Sequence, residues 1–219
     1  MAKQIYIVED HPVVRRGLSS LIEPESDLTI SGETGSAKEA REHLSASTPD
    51  LVILDLSLEE GSGLHLLEHL HSTQPDLRIL VVSMHDEVLY ARRALDNGAQ
   101  GYLMKSNATE KVVEAIRHVL DGNVYLSPEM TSAIVTEHVG GSGAPDRSPL
   151  DNLTDRELEV LMLMGEGYER REIAESLALS PKTIDTYKNH LQKKLSLDTN
   201  AGLRRYAAVW VASGEQPPE

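Results

Sequence analysis

Four apolar residues in a row, Leu51-Val52-Ile53-Leu54, run without alternation into a carboxylate, Asp55. A short unalternating run of this kind is the pattern of a strand covered on both faces, as in a parallel sheet packed between helices. Parallel neighbours require long crossover connections, which helices usually supply. The residue that ends such a strand stands at the carboxyl edge of the sheet, where open α/β sheets place their ligands. Asp55 is therefore the first candidate for chemistry.

The same form recurs along the first half of the chain. Gln4-Ile5-Tyr6-Ile7-Val8 stops at Glu9-Asp10, Arg78-Ile79-Leu80-Val81-Val82 stops at Ser83, and Gly101-Tyr102-Leu103-Met104 stops at Lys105; Leu28-Thr29-Ile30 is a shorter strand. Between them lie helical patterns. Pro12 opens one that carries Val13, Leu18, Leu21 and Ile22, and Ser36 caps another through about Leu44. Leu64–Leu70 is a third, broken by Pro75. Glu87–Asn97 closes on Gly98, and Thr109 opens a fifth helix ending at Asp121-Gly122. Strand and helix alternate five times, which predicts a doubly wound, five-stranded parallel sheet of the flavodoxin-like kind, about 120 residues long.

Ser127-Pro128 begins one more helix, to about Val139, before Gly140-Gly141-Ser142-Gly143-Ala144-Pro145 and the apolar-poor 146–149 read as a flexible linker. Beyond it Thr154-Asp155-Arg156-Glu157 has capping-box spacing and opens a helix through about Met164. Arg170–Leu177 is a short helix, Ser180-Pro181 caps a longer one through Leu195, and Thr199 begins a last one reaching about Trp210. The pattern divides the chain into a domain at 1–124, a linker helix and flexible linker at 125–149, a small all-α domain at 150–213, and a tail at 214–219.

The net charge of −14 argues against nucleic acid until its distribution is considered. Residues 1–140 carry 11 Lys and Arg against 22 Asp and Glu, whereas Lys182–Arg205 carries six basic residues against two acidic. A basic face in the second domain is thus expected within an acidic protein. The absence of cysteine excludes disulfides, thiolate metal sites and cysteine nucleophiles. It fits a reducing, cytoplasmic setting. No leader-like segment or bilayer-length apolar run is present, so a soluble protein is expected, with no membrane partner.

At the strand ends the residue types suit one chemistry. A hard divalent cation such as Mg²⁺ takes a few carboxylate or carbonyl oxygens, here Glu9, Asp10, Asp55 and the carbonyl near Ser57. Asp55 is then placed to attack a phosphoryl donor, while the Ser83 hydroxyl and Lys105 ammonium hold the phosphoryl oxygens. An Asp after a strand is by itself more often a turn or cap residue; the combination of four strand ends favours the functional reading.

Several stretches carry a resemblance. Ile7-Val8-Glu9-Asp10-His11-Pro12, Val52-Ile53-Leu54-Asp55, Val82-Ser83-Met84-His85 and Gly98–Lys105 resemble the receiver domain of bacterial two-component response regulators. Leu153–Leu161, Glu172-Ile173-Ala174, Ser180-Pro181-Lys182-Thr183-Ile184 and Lys194-Leu195 resemble the LuxR-type helix-turn-helix. Together they are similar to the NarL/FixJ class of transcriptional regulators. The resemblance implies that Asp55 is the phosphoacceptor, that Glu9, Asp10 and the Ser57 carbonyl join it around Mg²⁺, and that Ser83 and Lys105 sense the phosphoryl group. It also implies that Tyr102 changes rotamer with Ser83. Where the family usually has Pro after the phosphoacceptor, Glu59 stands here.

In such a domain the second helix of the helix-turn-helix enters the major groove. That helix is 180–195, with Ile184, Leu191 and Leu195 turned to the core. Lys182, Thr183, Asp185, Thr186, Lys188, Asn189 and Lys193 are the candidate DNA contacts, with Asn189 and Thr186 suited to base edges and the lysines to phosphates. Asp185 stands where relatives often carry Lys. The implied partners are a histidine kinase, double-stranded DNA and, once phosphorylated, a second copy of the chain. The resemblance implies a switch rather than an enzyme. The alternative from another class is a Mg²⁺-dependent phosphatase, which would want a second acid where Ser57 stands; a third is a DNA-binding regulator that needs no phosphorylation. His65 and His69, four residues apart, are expected on a solvated helix face rather than at a metal.

Overall fold

The computed structural model describes residues 2–58, 62–85, 87–139, 149–177 and 179–213. Glu59, residues 140–148 of the expected linker and residues 214–219 of the expected tail lie outside them. The chain divides into two compact units, Met1–Val139 and Gly140–Glu219.

The first unit alternates β1 (Lys3–Val8), α1 (Pro12–Ile22), β2 (Leu28–Thr34), α2 (Ala37–Ala46), β3 (Leu51–Leu54), α3 (Gly63–Thr73), β4 (Arg78–Ser83), α4 (Glu87–Asp96), β5 (Gly101–Met104) and α5 (Lys105–Leu120), followed by α6 (Pro128–Val139). The strands form one parallel sheet in the order β2-β1-β3-β4-β5. The chain leaves β1 toward one edge and returns to β3 on the other side of β1. The crossovers therefore part between β1 and β3, and their carboxyl ends flank the crevice that this topology opens. Glu9-Asp10 follow the one strand and Asp55 follows the other.

All four residues of β3 are buried, as an unalternating run requires. Ile5, Ile7, Leu51, Ile53, Leu80 and Val82 share one face of the sheet with Leu18 and Ile22 of α1 and Val112, Ala115, Ile116 and Val119 of α5. The alternate strand residues face the other side. There the Tyr6 hydroxyl meets His43 Nδ1 of α2 at 2.7 Å.

Two boundaries depart from the sequence pattern by four residues, and α3 and the last helix, Asn200–Ser213, each run three residues past their expected ends at Leu70 and about Trp210. β2 extends to Thr34 because Gly32, Glu33 and Thr34 continue to pair with β1 past a register shift between Ile5 and Tyr6. As an edge strand with one wet side it alternates polar and buried positions, which hides its length. α5 begins at Lys105, not Thr109. Ser106, Asn107 and Ala108 contain no Gly or Pro to interrupt it, so β5 passes directly into the helix.

Among its described residues the second unit has a 3₁₀ turn (Pro149–Asn152) and four helices, α7 (Asp155–Gly165), α8 (Arg170–Ser176), α9 (Pro181–Lys194) and α10 (Asn200–Ser213). Thr154 and Glu157 form the expected capping box. Leu158, Leu161, Ile173, Ile184, Leu191, Leu203 and Ala207 are fully or nearly fully buried. α7 and α10 approach so closely that a Cβ on Gly165 would collide with the Ala207 carbonyl. Lys194, at the end of α9, ties the core to the cap: its Nζ donates to Glu157 Oε2 at 2.6 Å and to the Asn152 carbonyl at 3.0 Å.

Candidate functional site

The parallel register delivers the polar strand ends to one edge. Glu9 and Asp55 are both about 1% exposed, an expensive placement for carboxylates. Lys105, the first residue of α5, offsets it: its Nζ lies 2.8 Å from Asp55 Oδ2, to which it donates, and 2.7 Å from Glu9 Oε2. The contact with Glu9 is an ion pair, and among the described residues Asp55 Oδ1 and Glu9 Oε2 accept no well-aligned hydrogen bond. Burial holds the Asp55 carboxyl up at about 6, against the pull of the Lys105 ammonium and with the help of the Glu9 charge.

The loop after β3 is shaped by two close approaches. The Ser57 backbone N–H lies near enough to the Asp55 carboxylate to favour its charged form. A Cβ on Gly63 would strike the Asp55 carbonyl and Leu56 Cα, so only glycine lets α3 begin this near the Asp55 backbone. Asp10 Oδ1 lies 2.6 Å from His11 Nδ1. That hydrogen bond, with the Asp10 charge, raises the His11 pKa. Among the described residues one group is arranged to hold a metal ion: Glu9, Asp10, His11 and Asp55 each offer one ligand atom, all within 4.8 Å of one another. Three of the four are carboxylate oxygens, and the orphaned Asp55 Oδ1 needs a partner. That donor set fits a hard divalent cation better than a soft metal.

Ser83 ends β4, the strand beside β3, and is fully buried. Tyr102 is also fully buried, not half-buried as a strand-end aromatic often is, and its hydroxyl donates to the His85 carbonyl at 2.9 Å. His85 is a residue whose contacts the sequence did not foretell: its Nε2 lies 2.7 Å from Ser57 Oγ. Burial first, and the Lys105 charge second, lower its pKa to about 4, so the ring is neutral near pH 7. His11 was equally unforeseen as a member of the acidic group. Its position directly after Glu9-Asp10 is the signal that points to it.

In the second unit Ile184, Leu191 and Leu195 of α9 or its cap face the core, as the periodicity predicts. Lys182, Thr186, Asn189 and Lys193 are exposed; Thr183, Asp185 and Lys188 are half-buried. The Thr183 N–H and hydroxyl both engage Ser180 Oγ, and the Thr186 hydroxyl donates to the Lys182 carbonyl. Asp185 does not stand as a bare anion, for Arg170 Nη1 of α8 donates to it at 2.9 Å. Arg204 of α10 makes a two-pronged pair with Glu169, the N-cap of α8. Asp185, Lys188, Asn189, Asn200, Arg204 and Met164 line a cavity of about 330 Å³ on the flank of α9. Desolvation there, with Arg204 nearby, lowers the Lys188 pKa.

Residues 5–117 match the family model of the response regulator receiver domain, and residues 151–207 that of bacterial regulatory proteins of the luxR family. This chain is a response regulator. The regulator is 36% identical over 208 residues to the oxygen regulatory protein NreC of Staphylococcus carnosus, spanning 93% of this chain and 96% of that one. Among solved structures it resembles RcsB from Salmonella enterica serovar Typhimurium bound to promoter P1flhDC in the presence of phosphomimetic BeF3⁻, with a TM-score of 0.71 and 25% identity over 95% of this chain and 100% of that one. A LuxR-family two-component response regulator from Aurantimonas sp. SI85-9A1 is 34% identical, with a TM-score of 0.59 over 64% of this chain and 99% of that one. The regulator thus carries a receiver domain followed by a LuxR-type DNA-binding domain, in the NarL/FixJ class. No described helix is long and apolar enough to cross a membrane.

Proposed function

We propose that Asp55 is the phosphoacceptor of this regulator and that its phosphorylation by a histidine kinase controls promoter binding through helix 180–195. The observation that carries the reading is the buried Glu9, Asp55 and Lys105 cluster at the β1/β3 crevice, in which one Asp55 oxygen is held by Lys105 and the other is left without a hydrogen-bond partner. Charge is buried here at a cost that structure alone does not require.

Mg²⁺ is the cation the donor set suits, held by Glu9, Asp10, Asp55 and the Ser57 carbonyl; when bound it neutralises the carboxylates and the incoming phosphate. An Asp55 carboxylate oxygen attacks phosphorus, the bond from phosphorus to the donor imidazole nitrogen breaks, and that nitrogen leaves with the electron pair and takes up a proton. Lys105 and Ser83 hold the transferred phosphoryl oxygens. Tyr102 follows Ser83, and the altered α4-β5-α5 face favours a homodimer whose two recognition helices read half-sites related by a two-fold axis. On DNA, Lys182, Lys188 and Lys193 meet phosphates, while Thr183, Asp185, Thr186 and Asn189 lie toward the bases. RcsB, solved on promoter DNA with a phosphomimetic, supports the reading. We take the receiver domain as 1–124, the linker as 125–149, the DNA-binding domain as 150–213 and the tail as 214–219, in a cytoplasmic protein that switches and does not turn over a substrate.

Incubation with acetyl phosphate and Mg²⁺, followed by intact mass, tests it. One phosphoryl group on the unsubstituted chain and none on Asp55→Asn is expected. Equal labelling of both sinks the assignment, and sustained turnover of small phosphate esters revives the phosphatase alternative.

A further inference from the structure

His85 has no part in the chemistry above, yet four contacts converge on it. Its backbone N–H donates to Ser83 Oγ at 3.3 Å, and its carbonyl accepts from the Tyr102 hydroxyl at 2.9 Å. Its Nε2 is 2.7 Å from Ser57 Oγ. Its ring stacks on Tyr90, with centroids 4.6 Å apart and planes inclined by 22°. Tyr90 is a buried residue of α4. Ser57 is held by its hydroxyl to His85, and it stands two residues after Asp55 with its backbone N–H near the Asp55 carboxylate.

We propose that His85 is a positioning residue that carries the state of the Asp55 loop into α4, through Ser57 on one side and Tyr90 on the other. The inference rests on the reading of Asp55 as phosphoacceptor. A phosphoryl group on Asp55 places new acceptor oxygens beside the Ser57 N–H, so Ser57 must readjust. A hydrogen bond of 2.7 Å cannot lengthen by much more than half an ångström, to about 3.2–3.5 Å, and survive. The imidazole therefore follows Ser57 or lets go of it. A planar ring stacked on Tyr90 has no internal torsion with which to absorb the movement, so its displacement reaches α4. The hydroxyl route through Ser83 and Tyr102 ends on the backbone of the same residue. His85 is where the two routes meet, its backbone serving one and its side chain the other.

A ring that merely filled space would be replaced without loss by another ring. His85→Phe keeps the volume and the stacking surface and loses only the bond to Ser57; Tyr90→Leu cuts the other link, away from Asp55. Both are examined in the full chain by intact mass after acetyl phosphate and Mg²⁺, and by hydrogen–deuterium exchange over residues 87–96 before and after labelling. Both variants are expected to take up one phosphoryl group as the unsubstituted chain does. The phosphorylation-dependent change in α4 exchange should fall by about fivefold in each, the loss expected when one hydrogen bond or ring contact of ordinary strength leaves a coupled pair. An α4 response of full size in either variant overturns the proposal, as does a labelled unsubstituted chain whose α4 does not respond. If His85→Phe fails to fold, Tyr90→Leu decides. Failure of the unsubstituted chain to take up phosphate strikes the assignment of Asp55 instead, and is read from the mass alone.

Discussion

Each of the two units buries a carboxylate that ionises late, and the surroundings of the two differ. Asp55, held up at about 6, faces a second buried carboxylate and shares one ammonium with it, with an oxygen left over. Glu159 in α7, raised by burial to about 7, has a guanidinium of its own, Arg156, at 2.8 Å on the same helix. The first is a site with unused valence at a sheet edge. The second is a local pair one turn long, a form that structural surfaces adopt without any ligand. Burial and a raised pKa are common to both, so neither by itself marks function; the spare oxygen and the converging strands do.

That contrast can be broken in order of expected effect. Lys105→Met leaves two buried carboxylates without their cation and should cost about 4 kcal/mol of first-unit stability at neutral pH, as broken buried pairs do. Denaturant unfolding checks it, and a loss under about 1 kcal/mol would mean the cluster is wetter than its burial implies. Glu159 comes next. Its folded pKa lies above its unfolded value, so its contribution is complete below pH 4.5 and is lost as pH rises to about 7, an amplitude of about 3 kcal/mol at most. Thermal unfolding of the second unit should show that decline, and Glu159→Gln should flatten it.

A third measurement belongs to Asp55 alone. With the carboxyl titrating near 6, Mg²⁺ affinity measured by calorimetry should be about tenfold weaker at pH 5 than at pH 7, because the metal needs the ionised form. Affinity that ignores pH over this range would place the cation elsewhere. The smallest effect is Arg170→Ala. Its pair with Asp185 is half exposed on both sides, so stability should move by less than about 1 kcal/mol. A larger loss would make the pair part of the core and not of the reading surface.

The legibility of the two units follows the same division. Asp55, Ser83 and Lys105 could be found in the sequence because each terminates an apolar run, and a parallel sheet gathers strand ends whatever the loops do. α9 was legible to the extent that Ile184, Leu191 and Leu195 repeat at helical spacing. The partners of Asp185 and Arg204 were not, since they depend on how α8 and α10 cross α9, which no local pattern encodes. The contacts of His85 follow no local pattern for a related reason: Ser57, Tyr90 and Tyr102, three of its four partners, come from three separate segments. β2 was underestimated because an edge strand needs only one apolar face, and the start of α5 because propensity alone does not say where a strand turns into a helix.

The direct passage of β5 into α5 gives Lys105 a mechanical meaning. Its ammonium is bonded at the sheet edge, while its backbone is the root of a helix of 16 residues, about 24 Å long. A helix of that length is a pointer pivoted at its base: a tilt of about 2.5° at Lys105 moves the far end by about 1 Å. The helix dipole disfavours a cation at that end, so the carboxylates hold Lys105 where the helix alone would not keep it. Any event that redistributes charge between Asp55 and Glu9 therefore acts on the short arm of a lever, and Leu120, at the far end of the helix, is on the long one.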